Sequence, residues 1–239
     1  MIQFYFHPTP NSAKVALLLE ETGLDYQIVP VDTIAGEQHA AQFLAVNPNG
    51  KVPAIIDMEG PGGKASRIFD SSAILLYLGD KTDRFIGTER DRPELLSWLF
   101  FLSSGLGPFA GQAVHFKRSA PQKLPYAINR YEREIKRHYQ VLDTHLQGRR
   151  YILDDTYTIA DMSAWGWVGR AALVFPDTDE PLAAFPNVQR WFAEVDGRPA
   201  AERARAVGKD HTFKTELDEA ALRALFPQNY PEAQALEDS

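Results

Sequence analysis

The first 81 residues alternate short strand patterns with helical ones, and this alternation limits the folds open to the chain. Apolar, β-rich runs predict strands at residues 2–6, 26–31, 54–57 and 67–69. Helical patterns follow the turn at 8–12, span 38–45 and begin again at Asp70. The resulting order is β-α-β-α-β-β-α, a compact α/β unit of about 80 residues.

Beyond a polar joint at residues 83–93 the strand signal fades and helical periodicity takes over. Helices are predicted at residues 95–104, 126–146, 159–174 and 188–196, with helical character again at 216–225. Gly105-Leu106-Gly107-Pro108 predicts a helix break, and Thr158 with Asp161 fits a capping box. We therefore expect domains at 1–82 and 93–205 and an extension at 206–239, whose acidic end at 231–239 is expected to fray.

Composition excludes several functional classes. The 239-residue chain carries a net charge of −7, which argues against a nucleic-acid partner. Its longest apolar runs, such as Trp98–Leu102, fall far short of the ~18 residues that a membrane span needs. The N-terminal residues show no basic segment followed by an apolar one, so we expect no secretory signal and a cytoplasmic protein.

The chain contains no cysteine. Structural disulfides, thiolate metal sites and any mechanism with a redox sulfur of the protein are thereby excluded. His138 and His145 lack a third ligand nearby, so no metal site is expected, and no phosphate-loop, serine-hydrolase or zinc-protease motif occurs. If this protein handles thiols, the sulfur must arrive on a ligand.

Asp70 and Ser71 stand at the head of an apolar helical run, seventeen residues after Val52-Pro53. The free N–H groups of a helix start suit a ligand carboxylate, and the Asp70 side chain suits an ammonium. Together they fit the amino-acid end of a γ-glutamyl peptide. Val52 precedes a proline, where we expect a cis bond that leaves backbone groups for an added peptide strand. The alternative is a helix cap without a ligand.

These motifs, in this order, resemble the cytosolic glutathione transferase family. The resemblance covers residues 1 to about 205 and rests on Asn47–Pro53, Phe69–Ile74 and Thr158–Asp161. It is stronger to the bacterial nu class of disulfide-bond oxidoreductases, through residues 5–11, 105–108, 115–116 and 120–131. The resemblance implies a thioredoxin-like α/β N-terminal domain followed by an all-α C-terminal domain.

The resemblance also implies roles for single residues. Thr9 and Asn11 would stand near the glutathione sulfur, where other classes carry Tyr, Ser or Cys. Gln38 would bind the glycyl end of glutathione. Val52, which precedes Pro53, would bind the backbone of the tripeptide through its own backbone, and Asp70 with Ser71 would bind the γ-glutamyl end. The class more often has a glutamate at the position of Asp70, so the side chain here is shorter by one methylene. The alternatives are N-capping for Asn11 and a solvent-facing turn position for Gln38.

The same resemblance implies a homodimer, in which Arg130 reaches the glutathione of the partner; the alternative for Arg130 is a solvated charged helix face. A pocket for the second substrate is expected from residues of the helical domain: Phe109, Gln112, His115 and Phe116. Aromatic residues at helical spacing are also typical of a core, which is the alternative for these positions.

The functional hypothesis is a glutathione-dependent disulfide-bond oxidoreductase that uses ligand thiols only. Because the protein has no cysteine, the site should hold two glutathiones or one glutathione disulfide, with a small-molecule disulfide as the partner substrate. One alternative is conjugation of glutathione to electrophiles or reduction of organic hydroperoxides. A second alternative is a non-catalytic interaction module of the same fold.

Overall fold

The strands form one mixed sheet in the order β2-β1-β3-β4. The computed structural model describes residues 1–230, and its strands are β1 (Ile2–Phe6), β2 (Tyr26–Pro30), β3 (Ala54–Asp57) and β4 (Ser66–Phe69). β1 pairs in parallel with β2 and antiparallel with β3, and β3 pairs antiparallel with β4. All four strand predictions are confirmed to within one residue at each end.

The strand register brings several predicted site segments to one end of the sheet. Ala54 pairs with Tyr5 on one side and with Phe69 on the other. Pro53, which precedes Ala54, therefore leaves the sheet at the same end as Asp70, which follows Phe69. The chain from Phe6 to Thr9 leaves β1 at this end too, because β1 runs antiparallel to β3.

Eleven α-helices are present among residues 1–230. They are α1 (Pro10–Thr22), α2 (Ala41–Leu44), α3 (Ser71–Thr82), α4 (Arg92–Phe101), α5 (Gly107–Arg118), α6 (Pro125–His145), α7 (Ile159–Val168), α8 (Ala171–Val174), α9 (Pro186–Asp196), α10 (Pro199–Ala206) and α11 (Glu219–Leu225). The predicted β-α-β-α-β-β-α order and the helical remainder are confirmed. None of these helices is long and apolar enough to cross a membrane.

The predicted helix break at residues 105–108 is wrong. A π-helical segment, Leu102–Leu106, joins α4 to α5, and the Gly107 N–H donates to the Leu102 carbonyl. Pro108 lies in the first turn of α5, where a missing N–H costs little. The wider π turn accommodates the proline without ending the helix. The chain therefore stays helical where the sequence indicated a break.

Other helix boundaries also differ from the predictions. The predicted 159–174 helix divides into α7 and α8, because Gly169 and Arg170 form a turn between them. The predicted 38–45 helix divides into a 3-10 turn, Glu37–His39, and α2. No bounds were predicted for α5, although residues 109–116 show helical spacing, and α10 was not predicted. α10 is eight residues long, and its buried positions are alanines, whose apolar signal in a sequence is weak.

Two compact units account for the contacts within the chain. The strand unit comprises Met1–Thr9, Asp25–Asp70 and the described residues from Val207 onwards. The helical unit comprises Pro10–Leu24 and Ser71–Ala206, and within it α1 packs against α3, α7 and α10. The sequential boundaries 1–82, 93–205 and 206–239 stay a prediction, and residues 231–239 lie outside the described part.

The predicted capping box at the start of α7 is confirmed. The Thr158 hydroxyl accepts from the Ala160 N–H, and Asp161 accepts from the Thr158 N–H at 2.9 Å. Asp161 is fully buried and also accepts from the Ile152 N–H and the Trp191 indole. Burial raises the pKa of Asp161 to about 6. One carboxylate thus fixes the start of α7 and anchors two further segments of the helical unit.

Candidate active site

The chain passes from β1 into α1 through the two residues predicted to face the glutathione sulfur. Thr9 is the last residue before α1, and its N–H donates to the His7 carbonyl over 2.7 Å. Asn11 is the second residue of α1, and both side chains are half-buried. The N–H groups in the first turn of an α-helix have no acceptor within the helix, and the positive end of the helix dipole lies there. Thr9 and Asn11 therefore offer hydrogen-bond donors to a ligand, and neither side chain is a base.

The side chain of Asn11 has a defined partner inside the helical unit. The indole Nε1–H of Trp167, on α7, donates to Asn11 Oδ1 over 3.0 Å. The approach of α7 to α1 depends on Gly166, because a Cβ there would overlap the Pro10 carbonyl oxygen and lie 2.7 Å from Lys14 Cγ. A glycine beside Trp167 thus lets α7 come close enough for the indole to reach Asn11.

Val52 and Pro53 connect the preceding loop to β3. Their peptide bond is cis, as expected from the sequence. Val52 is buried in a cluster with Val31, Phe43 and Ala54. The preceding loop is braced by Asn47, whose Nδ2 donates to the Lys51 carbonyl and whose Oδ1 accepts from the Asn49 N–H. This loop is held from within the strand unit, so the backbone of Val52 is well fixed.

Asp70 has a strained backbone at the junction of β4 and α3. Its φ angle is +70°, in the left-handed region, and its side chain is exposed, whereas Ser71 begins α3 and is buried. A non-glycine residue in this region costs about 1–2 kcal/mol, although aspartate tolerates it better than most. Strain of this kind concentrates at functional sites, and here it falls on the residue predicted to bind the ligand ammonium.

Gln38 lies in an environment that the sequence did not indicate. Its side chain is buried, and its Nε2 donates to the Ala224 carbonyl of α11 over 2.8 Å. The His39 Nε2 lies 2.8 Å from the same carbonyl and 3.2 Å from Gln38 Nε2. Within residues 1–230, Gln38 Oε1 has no hydrogen-bond partner. The amide therefore faces the C-terminal segment of the strand unit.

Arg130 is exposed on α6. It lines a surface depression of about 350 Å³ together with Tyr126, Arg133 and Arg137. Arg137 is paired with Glu134, whose pKa is lowered chiefly by that hydrogen bond. The depression is rich in cationic side chains, and Arg130 is available there to an anion or to another protein surface.

Two of the predicted pocket residues pack between helices. The Phe116 ring stacks on Tyr131 of α6 at 5.4 Å and 8°, and Phe109 contacts both Tyr131 and His138. Gln112 is exposed, and burial lowers the pKa of the half-buried His115. For the two phenylalanines the structure favours the packing alternative.

The predicted site residues divide between the two units. Five of them belong to the strand unit: Thr9, Gln38, Val52, Pro53 and Asp70. Three belong to the helical unit: Asn11, Ser71 and Arg130. Pro10 alone separates Thr9 from Asn11 along the chain, and Asp70 is bonded directly to Ser71. Residues 1–230 contain no group of three or more His, Asp or Glu placed to hold a metal ion.

Sequence reasoning missed Trp167 and the partners of Gln38. The Trp165-Gly166-Trp167 sequence could have indicated the role of Trp167, because a glycine between aromatic residues of a helix indicates that another helix approaches closely there. No local signal joins Gln38 to Ala224, because 186 positions separate them. That contact is a property of the tertiary fold.

Comparison with known proteins agrees with this architecture. Residues 9–81 match the model of the glutathione S-transferase N-terminal domain, and residues 125–194 match that of the C-terminal domain. The chain is 43% identical over 206 residues to the disulfide-bond oxidoreductase YfcG of Escherichia coli K12, covering 85% of this chain and 94% of that protein.

Solved structures with glutathione bound are similar as well. A glutathione transferase of Burkholderia graminis, with two glutathione molecules per subunit, has a TM-score of 0.82 at 41% identity, over 87% of this chain and 88% of the other. One from Pseudomonas putida, with one glutathione disulfide per subunit, has a TM-score of 0.80 at 36% identity, over 86% and 91%. The resemblance seen in the sequence is confirmed: the chain belongs to the glutathione S-transferase family.

Proposed function

We propose that this protein is a glutathione-dependent disulfide-bond oxidoreductase whose reacting thiols all come from ligands. The observation that carries the proposal is a cysteine-free chain in which Thr9 and Asn11 flank the first residue of α1. Its similarity to a disulfide-bond oxidoreductase, and to transferases holding two glutathiones or a glutathione disulfide, supports the same reaction.

The reaction balances with two glutathiones. The thiolate of the first attacks one sulfur of the substrate disulfide, a new S–S bond forms, and the other substrate sulfur leaves as a thiolate that takes up a proton. The second glutathione thiolate attacks the glutathione sulfur of this mixed disulfide. Glutathione disulfide forms and the remaining substrate thiolate leaves, so two electrons pass from two glutathiones to the substrate.

The protein's part in this chemistry is to favour the thiolate. Lowering a thiol pKa from ~8.5 to ~6.5 takes about 2.7 kcal/mol of preference for the anion. The Thr9 hydroxyl, the Asn11 amide and the helix start supply donors, and each charge-assisted hydrogen bond contributes about 1.5–3 kcal/mol. These donors suffice without a general base.

Binding of the tripeptide falls to other residues. Asp70 pairs with the ammonium of the γ-glutamyl group, and Ser71 with the first N–H groups of α3 receives its carboxylate. The Val52 backbone adds hydrogen bonds to the extended peptide. Gln38 binds the glycyl end through the second N–H of its Nε2, because the first donates to the Ala224 carbonyl.

A side-by-side assay tests the function. We expect the protein with glutathione to reduce 2-hydroxyethyl disulfide far faster than glutathione alone, and to act more slowly on an aryl halide and on cumene hydroperoxide. Faster turnover of either of the latter would assign the protein to the conjugating or peroxidase alternative. Glutathione binding without turnover of any substrate would indicate a non-catalytic module.

We propose further that the protein is a cytoplasmic homodimer in which Arg130 serves the site of the partner subunit. The exposed, arginine-rich face of α6 supports the role given to Arg130. Mixing Arg130→Ala with Asn11→Ala protein gives mixed dimers with one intact site, so about a quarter of wild-type activity should return. If Arg130 served its own subunit, mixing would restore nothing.

A further inference from the structure

Asn11 has a chemically ambiguous side chain. Its amide presents an acceptor oxygen on one side and an NH₂ donor on the other, and only the donor favours a thiolate. An oxygen turned towards the sulfur would instead favour the protonated thiol. The proposed role of Asn11 therefore depends on which way its amide is turned.

The Trp167 indole removes this ambiguity. An indole N–H donates and cannot accept, so the Asn11 atom that faces it at 3.0 Å must be the oxygen. The NH₂ group must then point away from Trp167. We infer that Trp167 is a positioning residue, which holds the Asn11 amide with its donor directed at the ligand thiolate; this inference rests on the proposed function.

Helix α5 is shaped to hold the indole in place. A Cβ at Gly107 would lie 3.0 Å from Trp167 Nε1, and a Cβ at Gly111 would lie 3.4 Å from Cη2 at the far edge of the ring. The two glycines lie four residues apart and share one face of α5. Both glycines therefore leave room for the indole beside α5, at the position from which Nε1 reaches Asn11.

A pair of matched variants tests the inference. Trp167→Phe removes the N–H and keeps an aromatic ring. Trp165→Phe makes the same change two residues earlier, where the indole donates to Asp196 Oδ1 over 2.9 Å and does not bond Asn11. The readout is the pKa of bound glutathione, followed by the ultraviolet absorbance of its thiolate from about pH 5 to about pH 9.

We expect Trp167→Phe to raise the thiol pKa of bound glutathione by about one unit, while its affinity changes less than about threefold. Trp165→Phe should titrate like the wild type. A wild-type titration for Trp167→Phe, or an equal shift in Trp165→Phe, would overturn the inference and leave the proposed function standing. An ordinary thiol pKa in the wild-type complex would refute both.

Gly107→Ala provides a second variant that keeps every hydrogen-bonding group. Its Cβ would lie 3.0 Å from Trp167 Nε1, closer than an ordinary contact, so we expect the indole to shift relative to Asn11. We expect a rise in the thiol pKa in the same direction as for Trp167→Phe, and a smaller one for Gly111→Ala, whose Cβ meets only the ring edge. A folded Gly107→Ala protein with an unchanged thiol pKa would contradict the inference independently.

Discussion

The Gln38 amide donates to the carbonyl of Ala224 over 2.8 Å, joining a predicted ligand residue to the last α-helix among residues 1–230. Other contacts join the same segment to the rest of the strand unit: the Lys214 N–H donates to Asp32 Oδ2, and the Phe213 ring lies edge-on to His7. The C-terminal segment and the proposed glutathione site therefore share Gln38, and we expect glutathione affinity and the stability of α11 to be coupled through it.

Gln38→Ala should weaken glutathione binding and loosen α11 together. One lost hydrogen bond is worth about 1 kcal/mol, or about fivefold in the dissociation constant, and hydrogen exchange at residues 219–225 should quicken. His39→Ala is the control: it removes the other side chain beside the Ala224 carbonyl, together with a 3.2 Å contact to Gln38 Nε2, and should quicken exchange without changing glutathione affinity. If Gln38→Ala quickened exchange without any loss of affinity, Gln38 would be a structural residue alone.

Substitutions of Asp70 should separate binding from backbone strain. Asp70→Ala and Asp70→Gly both leave the ligand ammonium unpaired, and each should weaken glutathione binding by about tenfold, as measured by calorimetry. Their stabilities should differ, because glycine accepts φ +70° and alanine does not. The glycine variant should be more stable than the alanine variant by about 1 kcal/mol in urea unfolding. Equal affinity in wild type and both variants would exclude Asp70 from the site.

Asn11 variants should change chemistry more than binding. Asn11→Ala removes a donor to the thiolate, so kcat should fall by about tenfold or more with little change in glutathione affinity. Asn11→Asp can still accept from Trp167 but places an anion beside the sulfur, so its kcat near neutral pH should be lower still. An effect of both variants on affinity alone would show that Asn11 binds the tripeptide and leaves the sulfur untouched.

His7 should make stability depend on pH below about 6.5. Burial lowers its pKa, and this outweighs the opposing effects of Asp32, the Val31 backbone and Glu37. The pKa of His7 is lower in the folded protein than in the unfolded chain, so the unfolded chain takes up the proton first as the pH falls. The stability that His7 contributes above about pH 6.5 is therefore lost as the pH falls through the folded pKa. His7→Leu should reduce the drop in melting temperature between pH 7.5 and about pH 5 relative to wild type. An identical drop in both proteins would contradict this.

Asp161→Asn should strongly destabilise the helical unit. The carboxylate accepts on both oxygens, from Ile152 and Trp191 on one and from Thr158 on the other. An amide has one acceptor, so its NH₂ would face buried donors, at a cost of about 2–3 kcal/mol in urea unfolding. Thr158→Ala, which removes the helix cap and leaves Asp161 in place, should cost about 1 kcal/mol. Equal losses would mean that the cap alone matters.

The sequence was sufficient for elements whose signals are local. Strand patterns, the Thr158–Asp161 capping box and the cis bond before Pro53 depend on residues that are neighbours in the chain, and all appear as predicted. The predicted helix break at Pro108 was wrong, because the local sequence rules do not include a π turn. Such a turn allows the helix to continue past a proline.

The sequence by itself determined the family, the order of elements and the absence of a protein thiol, because motif spacing and composition carry that information directly. Only the tertiary structure decided that Asn11 faces an indole and that Gln38 faces α11, since these partners meet across 156 and 186 positions of chain. Such contacts arise from helix packing, in which a glycine such as Gly166 sets how closely two helices approach.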